Sequence, residues 1–175
     1  MATPKETPIG AAMKVSQDIR AEEYNAITQF LDRVGGAYEI KPEHDVKDSF
    51  STLIGGVLKV ISTGRGKISC SLDVKSPILN PYGGMHGGAV AAVAERVATA
   101  CARTVVGKEK DIFLSELSIS YLSAAPENIK VVVDGSVIRS GRNLTVVVVD
   151  FRLEESGRLA YTTRATFYNM HVSRL

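Results

Sequence analysis

Residues Asn80-Pro81-Tyr82-Gly83-Gly84-Met85-His86-Gly87-Gly88 run straight into an alanine-rich stretch that continues to Val106. Glycine and proline crowd the first nine residues, and Asn stands ahead of Pro, which marks a tight, irregular turn. The stretch 89–106 favours helix through its alanines, and Gly107 fits a helix stop. Apolar residues occupy nearly every side of this helix, so it is expected to be buried nearly all round. Yet one carboxylate, Glu95, sits in its middle. A buried acid without an evident partner is costly, which invites a functional reading.

Strand patterns lie on both sides of the helix. Ahead of it, Val57–Ile61 is a short apolar run, Thr63-Gly64-Arg65-Gly66 a hairpin turn, and Ile68, Cys70, Leu72 and Val74 alternate with polar neighbours. Ser49–Ile54 reads as a short turn before Gly55-Gly56. Behind the helix come four more strands, at about 112–122, 129–139, 143–153 and 158–169, separated by Pro126, Ser140-Gly141-Arg142 and Glu155-Ser156-Gly157. In the first of these, Phe113, Ser115, Leu117, Ile119 and Tyr121 alternate against Leu114, Glu116, Ser118 and Ser120. The order is two strands, a long helix, then four strands. An α+β architecture follows, one antiparallel six-stranded sheet wrapped on one central helix.

Farther out, residues 1–15 read as a loose tail and 16–172 as a single domain. An additional N-terminal helix starts near Ser16, with Ile19, Tyr24, Ile27, Phe30, Leu31 and Val34 on one side and Gly35-Gly36 closing it. Strand 143–153 is apolar on both faces, Leu144, Val146 and Val148 on one and Val147, Val149 and Phe151 on the other. Such a strand needs cover on both sides. The central helix covers one; another subunit, or the N-terminal helix, covers the second.

The 175 residues suffice for one domain with a real core. A formal charge of +2 and a pI near 8.5 give no footprint for nucleic acid. No run of 18 apolar residues is free of charges, and the first residues lack the apolar core of a secretory signal, so a soluble intracellular protein is expected. Cys70 and Cys101 sit in apolar settings and read as reduced core thiols.

Free backbone N–H groups and the helix dipole converge at a helix N-terminus, where an anion or polarised carbonyl is well placed. Gly87 and Gly88 leave close approach unobstructed, the geometry of an oxyanion donor. Equally, the glycines can serve only a tight turn. Glu95 lies nine residues after His86, about 13 Å along one helix, so the two cannot serve one substrate atom from one chain. If they cooperate, His86 and Gly87 of one subunit face Glu95 of another. Thr99 follows Glu95 by four residues and shares its face. Against this stands a structural alternative, in which Glu95 pairs with Arg96 or a neighbour's Arg103 and Thr99 bonds the carbonyl of residue 95.

The element order and the pattern Asn80-x5-His86-Gly87-Gly88-x6-Glu95-x3-Thr99 resemble the hotdog-fold acyl-CoA thioesterases, the 4-hydroxybenzoyl-CoA type and its small plant and animal relatives above all. The resemblance covers about 57–169. It is supported by Ser120-Tyr121-Leu122-Ser123-Ala124-Ala125, Ser140-Gly141-Arg142-Asn143-Leu144 and Gly157-Arg158-Leu159-Ala160. It implies hydrolysis of an acyl-CoA to free acid and CoA at a subunit interface, with no metal or redox cofactor. It also implies roles. The Gly87 N–H polarises the thioester carbonyl, the partner's Glu95 is nucleophile or general base, Thr99 orients the water or the carboxylate, and Asn80 positions thioester and water. His86 matches the motif's His, with a turn-holding role. Further substrate contacts are expected from Gly88, Tyr82, Met85 and Ser115, and Arg139 and Arg142 are candidates for the CoA phosphates. Some relatives carry Asp where Glu95 stands, which leaves nucleophile and base both open. Many carry Thr or Ser shortly before an acidic position in the strand after the helix, where this chain has Leu114 beside Ser115.

A homo-oligomer, as a dimer of dimers (homotetramer), is the expected assembly. The rivals are a hotdog enoyl-CoA hydratase or dehydratase, and a non-catalytic acyl-CoA sensor in which nothing requires an acid at Glu95. The tripeptide Ser173-Arg174-Leu175 follows the small-basic-leucine pattern of a peroxisomal address, so an import receptor is an expected partner and the peroxisome, within fatty acid metabolism, the expected compartment; otherwise the cytoplasm is.

Overall fold

The computed structural model of the chain describes residues 20–22, 25–26, 29–30, 42 and 45–171. The chain divides into two units, Met1–Ile40 and Lys41–Leu175. In the first, where a helix is expected from Ser16, residues 21–22, 25–26 and 29–30 are helical. The expected tail at 1–15 and the tripeptide 173–175 lie outside the described residues.

The second unit contains α1 (Ser49–Val57), β1 (Leu58–Gly64), β2 (Lys67–Asp73), a 3-10 turn (Ser76–Ile78), α2 (Gly87–Arg103), β3 (Lys110–Tyr121), β4 (Lys130–Ser140), β5 (Leu144–Leu153) and β6 (Leu159–His171). The six strands form one antiparallel sheet in the order β1-β2-β4-β5-β6-β3. This is the hotdog architecture, with α2 held against the inner face of the sheet. Thr145, Val147, Val149 and Phe151 of β5 are fully buried on that face, with Val131 and Val133 of β4 and Phe167 of β6 beside them. Among the described residues, no helix is long and apolar enough to cross a membrane.

Several expectations are corrected. The helix α2 is not buried all round. Ala89, Val90, Val93, Ala94, Val97, Ala98, Cys101 and Ala102 form its buried stripe, whereas Glu95, Arg96, Ala100 and Arg103 are exposed. Alanine fits a packed and an open face alike, so composition hid the difference. The segment from Ser49 is a helix of 9 residues rather than a short turn, with Gly55 and Gly56 inside it and Ile54 and Val57 buried. Gly55 is where α1 meets Arg96, since a Cβ there would lie 3.2 Å from the Arg96 Nη1. Finally, the regular alternation expected along β3 breaks at Ser115. Leu114 pairs with Phe167 and Glu116 with the adjacent Thr166, so Ser115 is the extra residue of a bulge. Ile112, Leu114, Leu117 and Ile119 are the half-buried residues packed on the core, and Phe113 is 53 % exposed.

α2 ends at Arg103, earlier than the expected Val106. Thr104 caps it, its hydroxyl donating to the Cys101 carbonyl at 2.7 Å and accepting from the Gly66 N–H at 2.7 Å. The end of the helix is thereby fixed to the β1–β2 hairpin.

Candidate active site

The turn before α2 is closed by one side chain. Asn80 Oδ1 accepts from the Tyr82 N–H at 2.9 Å and the Gly84 N–H at 3.2 Å, while Nδ2 donates to the Met85 carbonyl at 3.5 Å. Gly83, with φ 78°, takes the left-handed conformation the turn requires. Two backbone bonds anchor the exit, Met85 N–H to the Ala125 carbonyl and His86 N–H to the Ile78 carbonyl, each at 2.8 Å. His86 is then the N-cap of α2, its Nδ1 accepting from the Gly88 N–H at 2.9 Å.

Gly87 is the first residue of α2. Its carbonyl accepts from the Tyr121 hydroxyl at 3.2 Å, and its N–H donates to no acceptor among the described residues. A Cβ at Gly87 would lie 3.3 Å from the Tyr121 hydroxyl, so strand and helix meet here at glycine distance. A hollow of about 320 Å³ opens beside it, lined by Asn80, Met85, Tyr121, Ser123 and Tyr161 among others. Tyr161 stands behind Tyr121 in an edge-to-face contact, and its hydroxyl accepts from the Ala125 N–H at 3.0 Å. Burial pushes the Tyr161 phenol pKa up; the Ala125 N–H acts in the opposite direction, and Tyr121 adds slightly to the rise.

Glu95 and Thr99 lie on the open face of α2, in a separate groove of about 450 Å³ walled by Phe50, Ile54, Ala92 and Ala100. Neither the Glu95 carboxylate nor the Thr99 hydroxyl has a partner among the described residues. Among the described residues no arginine pairs with Glu95 within the chain. Arg96 donates to the Ser51 carbonyl at 2.9 Å and Arg103 to the Lys110 carbonyl at 2.6 Å. Eight residues of helix separate Gly87 from Glu95, about 12 Å along the axis. One chain therefore does not bring Gly87 and Glu95 together.

The other residues expected at the site scatter. Gly88 spends its N–H on His86 and Tyr82 is 75 % exposed, whereas Met85, though buried, does line the hollow beside Gly87. Ser115 sits at the β3 bulge in mid-strand. Arg139 and Arg142 are exposed on the β4–β5 hairpin. Lys110 Nζ donates to the Arg142 carbonyl, and the Lys110 carbonyl takes the Arg103 bond, so this hairpin lies by the C-terminal end of α2. That is the end away from Gly87. Two contributors were not assigned a role from sequence. Tyr121 stood in the stretch that carried the family resemblance, and a tyrosine closing an alternating strand was its only signal. The α1 wall was hidden by Gly55-Gly56, which reads as a break.

Comparison with known proteins agrees with this fold. Residues 82–160 match the family described as the thioesterase superfamily. The fold is the hotdog fold, and the match to this family spans a little under half of the chain. Human acyl-coenzyme A thioesterase 13 is 24 % identical over 111 residues, 63 % of this chain and 79 % of the relative. Among solved structures, zebra fish thioesterase superfamily member 2 is similar with a TM-score of 0.64 at 20 % identity, covering 82 % of this chain and 96 % of that one. A Streptococcus pneumoniae thioesterase protein crystallised with coenzyme A gives a TM-score of 0.61 at 22 % identity, covering 65 % of this chain and 86 % of the other. The expected enzyme class, a thioesterase, is borne out by the family and its named members.

Proposed function

We propose that this hotdog domain hydrolyses acyl-CoA thioesters at sites built from two copies of the chain. The observation that carries the reading is the pair of unspent groups on α2, the Gly87 N–H and the Glu95 carboxylate, about 12 Å apart and each in its own hollow. The coenzyme A held by the Streptococcus pneumoniae neighbour supports the substrate class.

In this reading the thioester carbonyl oxygen accepts from Gly87 N–H. The partner's Glu95 takes a proton from water as the water oxygen attacks the carbonyl carbon, and the negative charge of the tetrahedral adduct rests on Gly87 and the helix dipole. Collapse breaks the C–S bond, and the proton passes from Glu95 to the leaving CoA sulfur. Thr99, one turn from Glu95, holds the attacking water. Asn80 and His86 keep the Gly87 peptide aimed, since their polar atoms are used within the turn. Direct attack by Glu95 on the carbonyl carbon is the other route that the resemblance leaves open. A dimer is the least the site needs. A dimer of dimers is supported by the outer face of the sheet, where Phe113, Tyr168 and Leu144 stand side by side, 53 %, 52 % and 39 % exposed.

The test is free-thiol release from a panel of acyl-CoAs, aromatic and short to long aliphatic, by wild type and Glu95→Gln. The expected result is turnover that the substitution lowers by about 10²-fold or more. Equal turnover in both proteins would overturn the role of Glu95. Tight binding by both without turnover would make the protein an acyl-CoA sensor.

A further inference from the structure

Phe50 belongs to two hollows at once. On one side it walls the groove that holds Glu95 and Thr99, with Ile54, Ala92 and Ala100. On the other it lines a larger, mostly apolar hollow of about 700 Å³ with Val46, Leu53 and Pro77. Lys47, Ser49 and Thr52 also line this second hollow. The ring is 57 % exposed, so it is not held by the core and stands as a partition between the two spaces. The helix bearing it is fixed in place by the Arg96 guanidinium, which donates to the Ser51 carbonyl and packs where Gly55 has no side chain.

We propose that α1 is the wall of the acyl site and that Phe50 sets the length of acyl chain the protein accepts. The inference rests on the thioesterase reading above, and it names the substrate class as linear aliphatic acyl-CoAs. A linear chain whose carbonyl lies near Glu95 runs along Ala92 and Ile54 toward Phe50. Each methylene buried on the way is worth about a fourfold gain in affinity, which is the usual transfer free energy of that group. The gain stops where the chain meets the Phe50 ring. Beyond it lies the space that a longer chain would enter if the ring were smaller.

The experiment measures kcat/KM for saturated linear acyl-CoAs of increasing length, with benzoyl-CoA alongside, for wild type, Phe50→Ala and Phe50→Trp. The Kd of the same compounds is measured for each protein in the Glu95→Gln background. Expected are a rise of up to fourfold per methylene to an optimum in wild type, an optimum at longer chains in Phe50→Ala and one at shorter chains in Phe50→Trp. The Kd series should show the same displacements. An optimum unmoved in both variants would overturn the proposal, as would benzoyl-CoA outperforming every linear substrate in wild type. The two readings fail separately. Absence of turnover with displaced Kd optima overturns hydrolysis and upholds the acyl wall. Turnover that depends on Glu95, with a chain-length profile blind to Phe50, does the reverse.

Discussion

The Tyr121 hydroxyl donates to the Gly87 carbonyl oxygen at 3.2 Å, so the last residue of edge strand β3 grips the first residue of α2. The same residue, Gly87, carries the N–H left without an acceptor among the described residues. Strand and donor are therefore one mechanical unit.

Tyr121→Phe removes that bond while keeping the ring in its edge-to-face contact with Tyr161. A neutral hydrogen bond contributes a net of about 0.5–1.5 kcal/mol. If it is spent on aiming the Gly87 N–H, kcat for acyl-CoA hydrolysis falls about two- to tenfold with KM little changed. Steady-state thiol release measures it, and an unchanged kcat would show that Gly87 is aimed by the turn alone.

Gly135 on β4 is a point of close approach between the sheet and α2. A Cβ there would lie 2.8 Å from Ile68 Cγ2, 3.2 Å from Val97 Cγ1 and 3.3 Å from Cys101 Cβ. All three belong to buried residues. Gly135→Ala is expected to destabilise the fold by about 1–3 kcal/mol through overpacking. Urea unfolding should show a lower midpoint at constant slope. A midpoint at or above that of wild type would mean the helix can lift from the sheet without cost.

Cys70 and Cys101 are free and buried, and burial pushes both thiol pKa values up; at Cys70 the Asp134 charge adds to the rise, and at Cys101 a backbone hydrogen bond at Val137 opposes it. Tyr161 is raised by burial as well. A group whose folded pKa exceeds its unfolded value holds more protons in the native state, so stability falls as pH rises. The contribution of the thiols is whole below the ordinary thiol range, about 8.5, and is lost on passing upward through the raised values. Tyr161 adds to the loss above about 10. Denaturation midpoints taken between pH 7 and 11 should decline, and Cys70→Ala/Cys101→Ala should flatten the first part of the decline. A flat profile in the wild type would contradict this.

The six strands were legible because β2, β4, β5 and β6 bury one face and turn at glycines such as Gly66, Gly141 and Gly157. Period and punctuation then say the same thing. β3 was legible as a strand but not in its facing, since the bulge at Ser115 shifts the inward positions and leaves no mark in an apolar-polar pattern. α1 was missed for a local reason. Gly55-Gly56 lowers helix propensity, and the gain that outweighs it is tertiary, the contact of α1 with Arg96 and the burial of Ile54 and Val57.

For the site, spacing alone set the start of α2 and Glu95 too far apart to serve one atom from one chain, and the geometry of α2 agrees in separating them. The exposure of Glu95 was not legible, because Ala91, Ala92 and Ala100 on its face look no different in sequence from Ala94 and Ala98 underneath. Nor was the reach of Arg139 and Arg142, which is fixed by a hairpin docking through Lys110.

The strand order has a consequence for synthesis. Among the described strands β3 is bonded only to β6, and β6 also bonds β5. The ribosome makes β3 first and its partner last, with β4 and β5 in between. For the seconds this takes, Ile112, Leu114, Leu117 and Ile119 wait on a strand with both edges open, the usual invitation to aggregation. Nascent chains stalled before Leu159 would thus carry an unpaired β3 and an unpaired side of β5 together, and a ribosome-associated chaperone would find its hydrophobic target there.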